Sequence, residues 1–176
     1  MPRLGMLRSL WLTRLSKPAA ERILYRHVLA SRPGRILELG LGMLARTERL
    51  LEAAAAGVAE VAYVGIDRFE SRTLQDPPGV SLKEAHRRLH DRAKVQLVPG
   101  NVDSALARTC NHLGVFDLVV ISADNDQRHL PRCWFFLQRV TRPQSTVFVE
   151  SGTAWTTVSR EKIDDLASRS VLQRAG

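Results

Sequence analysis

Two glycines and two acidic residues have the types and the spacing of a nucleotide-binding site. Gly40 and Gly42 follow the apolar run 35–39 and precede an alanine-rich stretch. Glycines permit a tight turn and let a ligand approach the backbone, and the first N–H groups of a following helix attract an anion. Glu38 favours a ligand with an ammonium group, because opposite charges attract strongly in a cleft. Asp67 ends a second apolar run, where a carboxylate can accept both hydroxyls of a ribose. The sequence therefore indicates a ligand that contains adenosine.

These residues lie between strand-like and helical segments that alternate along the chain. Strands are predicted at 35–39, 61–67, 94–98, 116–122 and 146–150, with helices at about 44–56, 81–92, 103–112 and 130–139 between them. Alternating strands and helices form a parallel sheet that is covered on both faces. We therefore expect an α/β, doubly wound, Rossmann-like fold with strand order 3-2-1-4-5, in which the loops after strands one and four flank the site.

The length of 176 residues fits a single domain. We expect N-terminal helices over 1–33, a ligand-binding core over 34–155 and a C-terminal helix over 156–176. Since 176 − 150 leaves 26 residues after Glu150, we expect the sheet to stop at five strands. The last strand would then have an unpaired edge, which predicts cover by the terminal segments or by a second copy in a homodimer.

Charge and composition limit the classes of partner. The 26 Lys and Arg exceed the 18 Asp and Glu by 8, but the arginines are scattered, so nucleic acid is possible and not favoured. No apolar run approaches the ~20 residues that a membrane span needs. Two cysteines are too few for a disulfide framework, which favours the cytoplasm. The basic amphipathic segment with Leu7, Trp11 and Leu15 is expected to pack on its own domain or on a second subunit, with a membrane surface as the alternative.

Four motifs together carry a family resemblance over roughly residues 18–155. They are Glu38-x-Gly40-x-Gly42, Asp67, Gly100-Asn101-Val102-Asp103 and the apolar strand 116–121. The chain resembles the class I S-adenosylmethionine-dependent methyltransferases. The resemblance implies that the strand-one loop holds the methionine part of the cofactor, the acid of strand two the ribose, and the residues after strand three the adenine. The cofactor-binding residues expected on this basis are Glu38, Gly40, Gly42, Asp67, Arg68, Asn101, Val102 and Asp124.

Within that family, the stretches 116–125 and 147–155 are most similar to the metal-dependent, catechol-type O-methyltransferases. The resemblance implies O-methylation of a small molecule. Where that branch has an Asp metal ligand this chain has Ser122, where it has an Asp-Asn pair the chain has Glu150-Ser151, and where it has a lysine the chain has Asn125. Hydroxyls are poor ligands for a divalent cation, so we expect no metal site. Leu44 replaces the third glycine that is usual in the first loop.

Three residues after strands four and five are candidates for a general base. Methyl transfer from a sulfonium is an in-line displacement, so positioning supplies much of the acceleration, and a base is needed only when the acceptor must lose a proton. Asp124, His129 and Glu150 fall near the expected crevice. Each also has a structural interpretation, as a helix cap, a solvated loop residue or the partner of an arginine.

Three alternatives stay open at this point. The first is a methyltransferase-like nucleotide-binding module that has lost turnover. The second is an RNA methyltransferase, which the positive charge favours and the scatter of arginines does not. The third is an NAD-binding domain, because Gly40-x-Gly42-x-x-Ala45 approximates that fingerprint, although Glu38 argues against it.

Overall fold

A computed structural model describes residues 5–123 and 129–175. The strands are β1 Arg35–Leu39, β2 Ala62–Asp67, β3 Lys94–Pro99, β4 Leu118–Ile121, β5 Thr146–Ser151 and β6 Ala154–Val158. The α-helices are α1 Met6–Leu10, α2 Arg22–Ser31, α3 Ala45–Ala55, α4 Leu82–Leu89, α5 Val102–Leu113, α6 Leu130–Arg139 and α7 Arg160–Ala175. A π-helical turn, Trp11–Leu15, continues α1, and two 3₁₀ turns cover Ala19–Glu21 and Phe69–Ser71.

All six strands belong to one sheet in the order β3-β2-β1-β4-β5-β6. The first five are parallel, which confirms the predicted order and the doubly wound α/β class. The winding reverses between β1 and β4, so the loops after these two strands border a crevice at the carboxyl edge of the sheet.

The expectation of a sheet with five strands is wrong. β6 pairs antiparallel with β5, with Glu150 opposite Trp155. Only Gly152 and Thr153 separate the two strands, and Gly152 has a φ of 60°. Two-residue hairpins need a residue with positive φ, which glycine provides without strain, so a sixth strand fits into very little chain. On this side of the sheet the edge strand is therefore β6 and not β5.

The core forms two apolar layers, one on each face of the sheet. Alternate residues of β1 face opposite sides, so that Leu37 and Leu39 pack with α5, α6 and α7, while Ile36 packs with α2, α3 and α4. Leu12 is fully buried in the second layer, whereas Leu7 is 81% exposed. The N-terminal segment thus packs on its own domain through one face. No helix in the described residues is long and apolar enough to cross a membrane.

Candidate functional site

The loop after β1 has the backbone conformation that the glycine pattern predicts. Gly40 and Gly42 have φ values of 83° and 56°, in the region that glycine adopts without strain. Leu44, at the position of the missing third glycine, also has a left-handed φ of 69° and is fully buried. A bulky side chain in this conformation costs about 1–2 kcal/mol, which its apolar burial offsets.

Asp67 ties the end of β2 to this loop. Its Oδ2 accepts hydrogen bonds from the backbone N–H groups of Leu41 at 2.7 Å and Gly42 at 3.3 Å, and its Oδ1 accepts from Phe69 N–H at 2.9 Å. Arg72 donates to both oxygens, with Nε at 3.1 Å from Oδ1 and Nη2 at 2.7 Å from Oδ2. The carboxylate and the glycine loop therefore form one rigid unit beside the switch point of the sheet.

Glu38 is fully buried beneath the glycine loop. Its Oε1 accepts from Arg46 Nε at 2.8 Å, and its Oε2 accepts from Thr47 Oγ1 at 2.9 Å and Tyr63 Oη at 2.8 Å. Burial, followed by the negative charge of Glu38, raises the pKa of Tyr63 well above its usual value, so the phenol stays protonated and donates. Glu38 thus lies under the crevice and holds the loop from within.

Arg46 is a residue of the site that the sequence analysis missed. It lies in the first turn of α3, is 7% exposed, and donates from Nη2 to the carbonyl oxygen of Gly40 at 2.6 Å. Its Nη1 lies 4.0 Å from Glu150 Oε2, and its guanidinium carbon lies 5.4 Å from the ring centroid of Trp155. Arg46 therefore links the acid under the glycine loop to the acid at the end of β5.

Glu150 bridges the ends of β4 and β5. Its Oε2 accepts from Ser122 Oγ at 2.9 Å and from the N–H of Ala123 at 2.8 Å. The Glu150 side chain is 23% exposed, so the carboxylate is oriented by the protein and still reaches solvent. This arrangement suits a group that binds an acceptor or removes its proton.

His129 forms a separate pair with Asp103. Nδ1 of His129 lies 3.0 Å from Asp103 Oδ2, and the two side chains are 28% and 16% exposed. Asp103 stands in the first turn of α5 and His129 immediately before α6, so the pair spans the ends of β3 and β4. A carboxylate on Nδ1 favours the tautomer in which Nε2 acts as a base.

The remaining predicted residues have different surroundings. Asn101 precedes α5, and Val102 is buried at its first position. Arg68 follows Asp67, but its Nη1 pairs with Asp76 Oδ1 at 2.8 Å. Asp124 lies outside the described residues.

The structure thus joins the expected residues in three groups. Asp67 contacts the glycine loop directly, Arg46 links Glu38 to Glu150, and His129 pairs with Asp103. In the described part of the chain, no cluster of three or more His, Cys, Asp or Glu side chains could hold a metal ion.

No protein-family model matches the chain, and no curated protein matches its sequence. Solved structures of methyltransferases have a similar fold. A putative O-methyltransferase from Klebsiella pneumoniae gives a TM-score of 0.59 at 16% identity, covering 94% of this chain and 75% of that one.

Two further solved structures of methyltransferases also have a fold similar to that of this chain. The O-methyltransferase TomG from Streptomyces achromogenes, in complex with SAM, gives 0.56 at 16% identity over 97% of this chain and 77% of its own. A putative caffeoyl-CoA O-methyltransferase from Staphylococcus aureus gives 0.56 at 12% identity over 98% and 82%. The chain has the class I methyltransferase fold. The expected likeness to class I methyltransferases is thereby confirmed for the fold, since identities this low establish the fold alone.

Proposed function

We propose that this chain is an S-adenosylmethionine-dependent methyltransferase that methylates an oxygen of a small molecule. The observation that carries the proposal is the contact of the Asp67 carboxylate with the N–H groups of Leu41 and Gly42. It unites the acid suited to a ribose with the loop suited to the rest of the cofactor, at the switch point of a methyltransferase fold. Structural neighbours with this fold were crystallised with SAM or SAH.

The donor set fits this cofactor. Asp67 would hold the ribose hydroxyls, and Asn101 and Val102 would lie along the adenine. Gly40 and Gly42 would leave room for the methionine part, while Glu38 would act from beneath by fixing Arg46 and the loop. Arg68 is assigned to the rim of the cofactor site, because its guanidinium already pairs with Asp76.

The cofactor would supply an electrophilic methyl group, and the protein would supply position and proton transfer. Glu150, fixed by Ser122 and Ala123, and His129, oriented by Asp103, are proposed to bind the acceptor and to take its proton. Asp124 stays a candidate for the same role. Ser122 and Ser151 carry hydroxyls where a divalent cation would favour carboxylates, so no step is assigned to a metal.

Titration calorimetry with SAM and SAH tests the proposal. We expect micromolar binding by the wild type, at least tenfold weaker binding by Asp67→Asn, and unchanged binding by Asp91→Asn, a control whose side chain is 86% exposed. NAD serves as the negative ligand. Absence of SAM and SAH binding by the wild type would refute the proposal.

A screen of phenolic and carboxylic acceptors, read as SAH formed with and without Mg²⁺, tests turnover. We expect methyl transfer without Mg²⁺ that falls about 10²–10⁴-fold in Glu150→Gln or His129→Gln, according to which residue is the base. Cofactor binding without transfer to any acceptor would instead support a binding module.

We also infer that the protein works in the cytoplasm as a homodimer. The chain has two cysteines, both buried, which are too few for a disulfide framework and agree with a reducing compartment. Met6 and Leu7 are 86% and 81% exposed and form an apolar surface that a second copy would cover. A monomeric mass by light scattering at micromolar concentration would contradict the dimer.

A further inference from the structure

Arg72 occupies the carboxylate that the proposed function assigns to the ribose. The guanidinium reaches Asp67 with two parallel hydrogen bonds, and the two side chains are only 9% and 3% exposed. Bidentate arginine–carboxylate pairs of this kind are among the strongest polar contacts in proteins. The contact is therefore a shielded ion pair and not a solvated surface pair.

The hydrogen-bonding capacity of Asp67 is already used in full. Three backbone N–H groups and two N–H groups of Arg72 donate to its oxygens. An ionised carboxylate has about four lone-pair positions. Five donors already exceed these positions, so a ribose hydroxyl can donate to Asp67 only when Arg72 withdraws. The three backbone donors remain after that withdrawal, which leaves a position for one hydroxyl of a vicinal diol.

We propose that Arg72 is an internal competitor for the Asp67 carboxylate, which sets the affinity of the crevice for ligands with a vicinal diol. The inference rests on the proposed function, because it takes the ribose of an adenosine-containing ligand as the diol. Arg72 occupies the acceptor, and diol binding requires it to leave.

Arg72 also holds a chain segment over the site. Its Nη1 donates to the carbonyl oxygen of Pro77 at 2.6 Å, and a Cβ at Gly79 would lie 2.3 Å from its Nε. Val80 N–H donates to the carbonyl oxygen of Gly42 at 3.3 Å, which brings the same segment onto the glycine loop. Withdrawal of Arg72 from Asp67 therefore loosens segment 72–80 along the edge of the crevice.

The middle of the segment has no apolar packing that resists such a movement, although Val80 at its end packs on the core. Leu74 is fully exposed and buries nothing. The Thr73–Asp76 turn is closed by its own hydrogen bonds, and Arg68 holds Asp76 from outside the segment. Arg72 thus ties the segment to Asp67, while Arg68 and Gly42 hold it at Asp76 and Val80.

The test compares wild type with Arg72→Gln, and uses Arg87→Gln as the matched control. Arg87 pairs with Glu84 on the exposed side of α4, where its side chain is 69% exposed. The probes are SAH, adenosine and 2′,3′-dideoxyadenosine, measured by titration calorimetry, with thermal unfolding to verify that each variant is folded.

We expect Arg72→Gln to bind SAH and adenosine about tenfold more tightly than wild type, because the apparent Kd falls as the open fraction rises. Dideoxyadenosine lacks the diol, so its weak binding should be equal in both proteins, and Arg87→Gln should match wild type for every probe. Weaker or unchanged binding of adenosine by Arg72→Gln would overturn the inference, since Arg72 would then be a ligand contact or a bystander.

Hydrogen exchange of the ligand-free proteins separates this inference from the proposed function. We expect the amides of segment 72–80 to exchange at least tenfold faster in Arg72→Gln than in wild type, with no change in β4. If no protein binds SAH or adenosine, the proposed function fails and the competition with a diol fails with it. If ligands bind but exchange of the segment is unchanged, only the role of Arg72 in closing the site is overturned.

Discussion

Replacing Arg46 with methionine should destabilise the protein more than a surface substitution can. Glu38 is fully buried, and the charged donor to it is Arg46 Nε, which lies 2.8 Å from Oε1 on a side chain that is itself 7% exposed. Methionine retains much of the apolar volume but removes the charge, so Glu38 keeps only the hydroxyls of Thr47 and Tyr63. Breaking a buried ion pair on one side costs about 3–5 kcal/mol, a large share of the roughly 5–15 kcal/mol that holds a domain folded.

A double-mutant cycle tests this reasoning by urea unfolding at neutral pH. Glu38→Gln removes the acid, so Glu38→Gln with Arg46→Met should be more stable than the sum of the single effects by about 1–3 kcal/mol. Arg87→Met, which breaks an exposed pair with Glu84, should change stability by less than about 0.5 kcal/mol. A loss below about 1 kcal/mol in Arg46→Met, with additive single effects, would refute the assignment of a buried charge pair.

Three other perturbations have a defined sign. Leu44→Gly should be about 1 kcal/mol more stable than Leu44→Ala in urea unfolding, because the left-handed φ of 69° favours glycine. Both variants should lose about 2–5 kcal/mol of core packing relative to wild type. A more stable Leu44→Ala would contradict that backbone geometry. Tyr63→Phe should lose about 1–3 kcal/mol, since Glu38 Oε2 loses a donor, and a neutral effect in thermal unfolding would count against this hydrogen bond. Burial raises the pKa of Glu21 above 4.5, so the contribution of its carboxyl to stability is present below that pH and is lost as the pH rises through the folded pKa. The unfolding free energy of Glu21→Gln relative to wild type should therefore increase between about pH 4 and pH 7. A difference that stays constant with pH would exclude the shift.

The strands and their order were predictable because each is an apolar run with clear limits. The prediction for β1 agrees at both ends, 35–39, and the helix predicted at 130–139 is also observed at those limits. β6 was not predicted, because Thr156 and Thr157 alternate with few apolar residues and the turn at Gly152 is only two residues long. An edge strand with one solvated face has a weak hydrophobic pattern, and hairpin pairing depends on a partner that periodicity alone does not reveal.

The residues of the site that directly follow or end a strand were predictable from the sequence. Gly40, Gly42 and Asp67 could be placed at the same edge of the sheet because parallel strands end together. Arg46 and Arg72 could not be assigned, because the direction of a long arginine side chain depends on packing. Arg46 reaches Glu150 at the end of a distant strand, whereas Arg72 turns back to Asp67. Net charge and spacing did not distinguish these two buried arginines from the many exposed ones.

Trp155 is an intrinsic fluorescent probe of the crevice. The indole is 6% exposed, lies opposite Glu150 in the β5–β6 ladder and has the guanidinium of Arg46 over its face. The emission of an indole responds to charge near the ring, so a ligand that displaces Arg46 changes the fluorescence without any added label. The chain has three tryptophans, and Trp11→Phe with Trp134→Phe leaves this one as the single emitter. Stopped-flow mixing of that variant with ligand would then show whether the ligand binds before or after Arg46 is displaced.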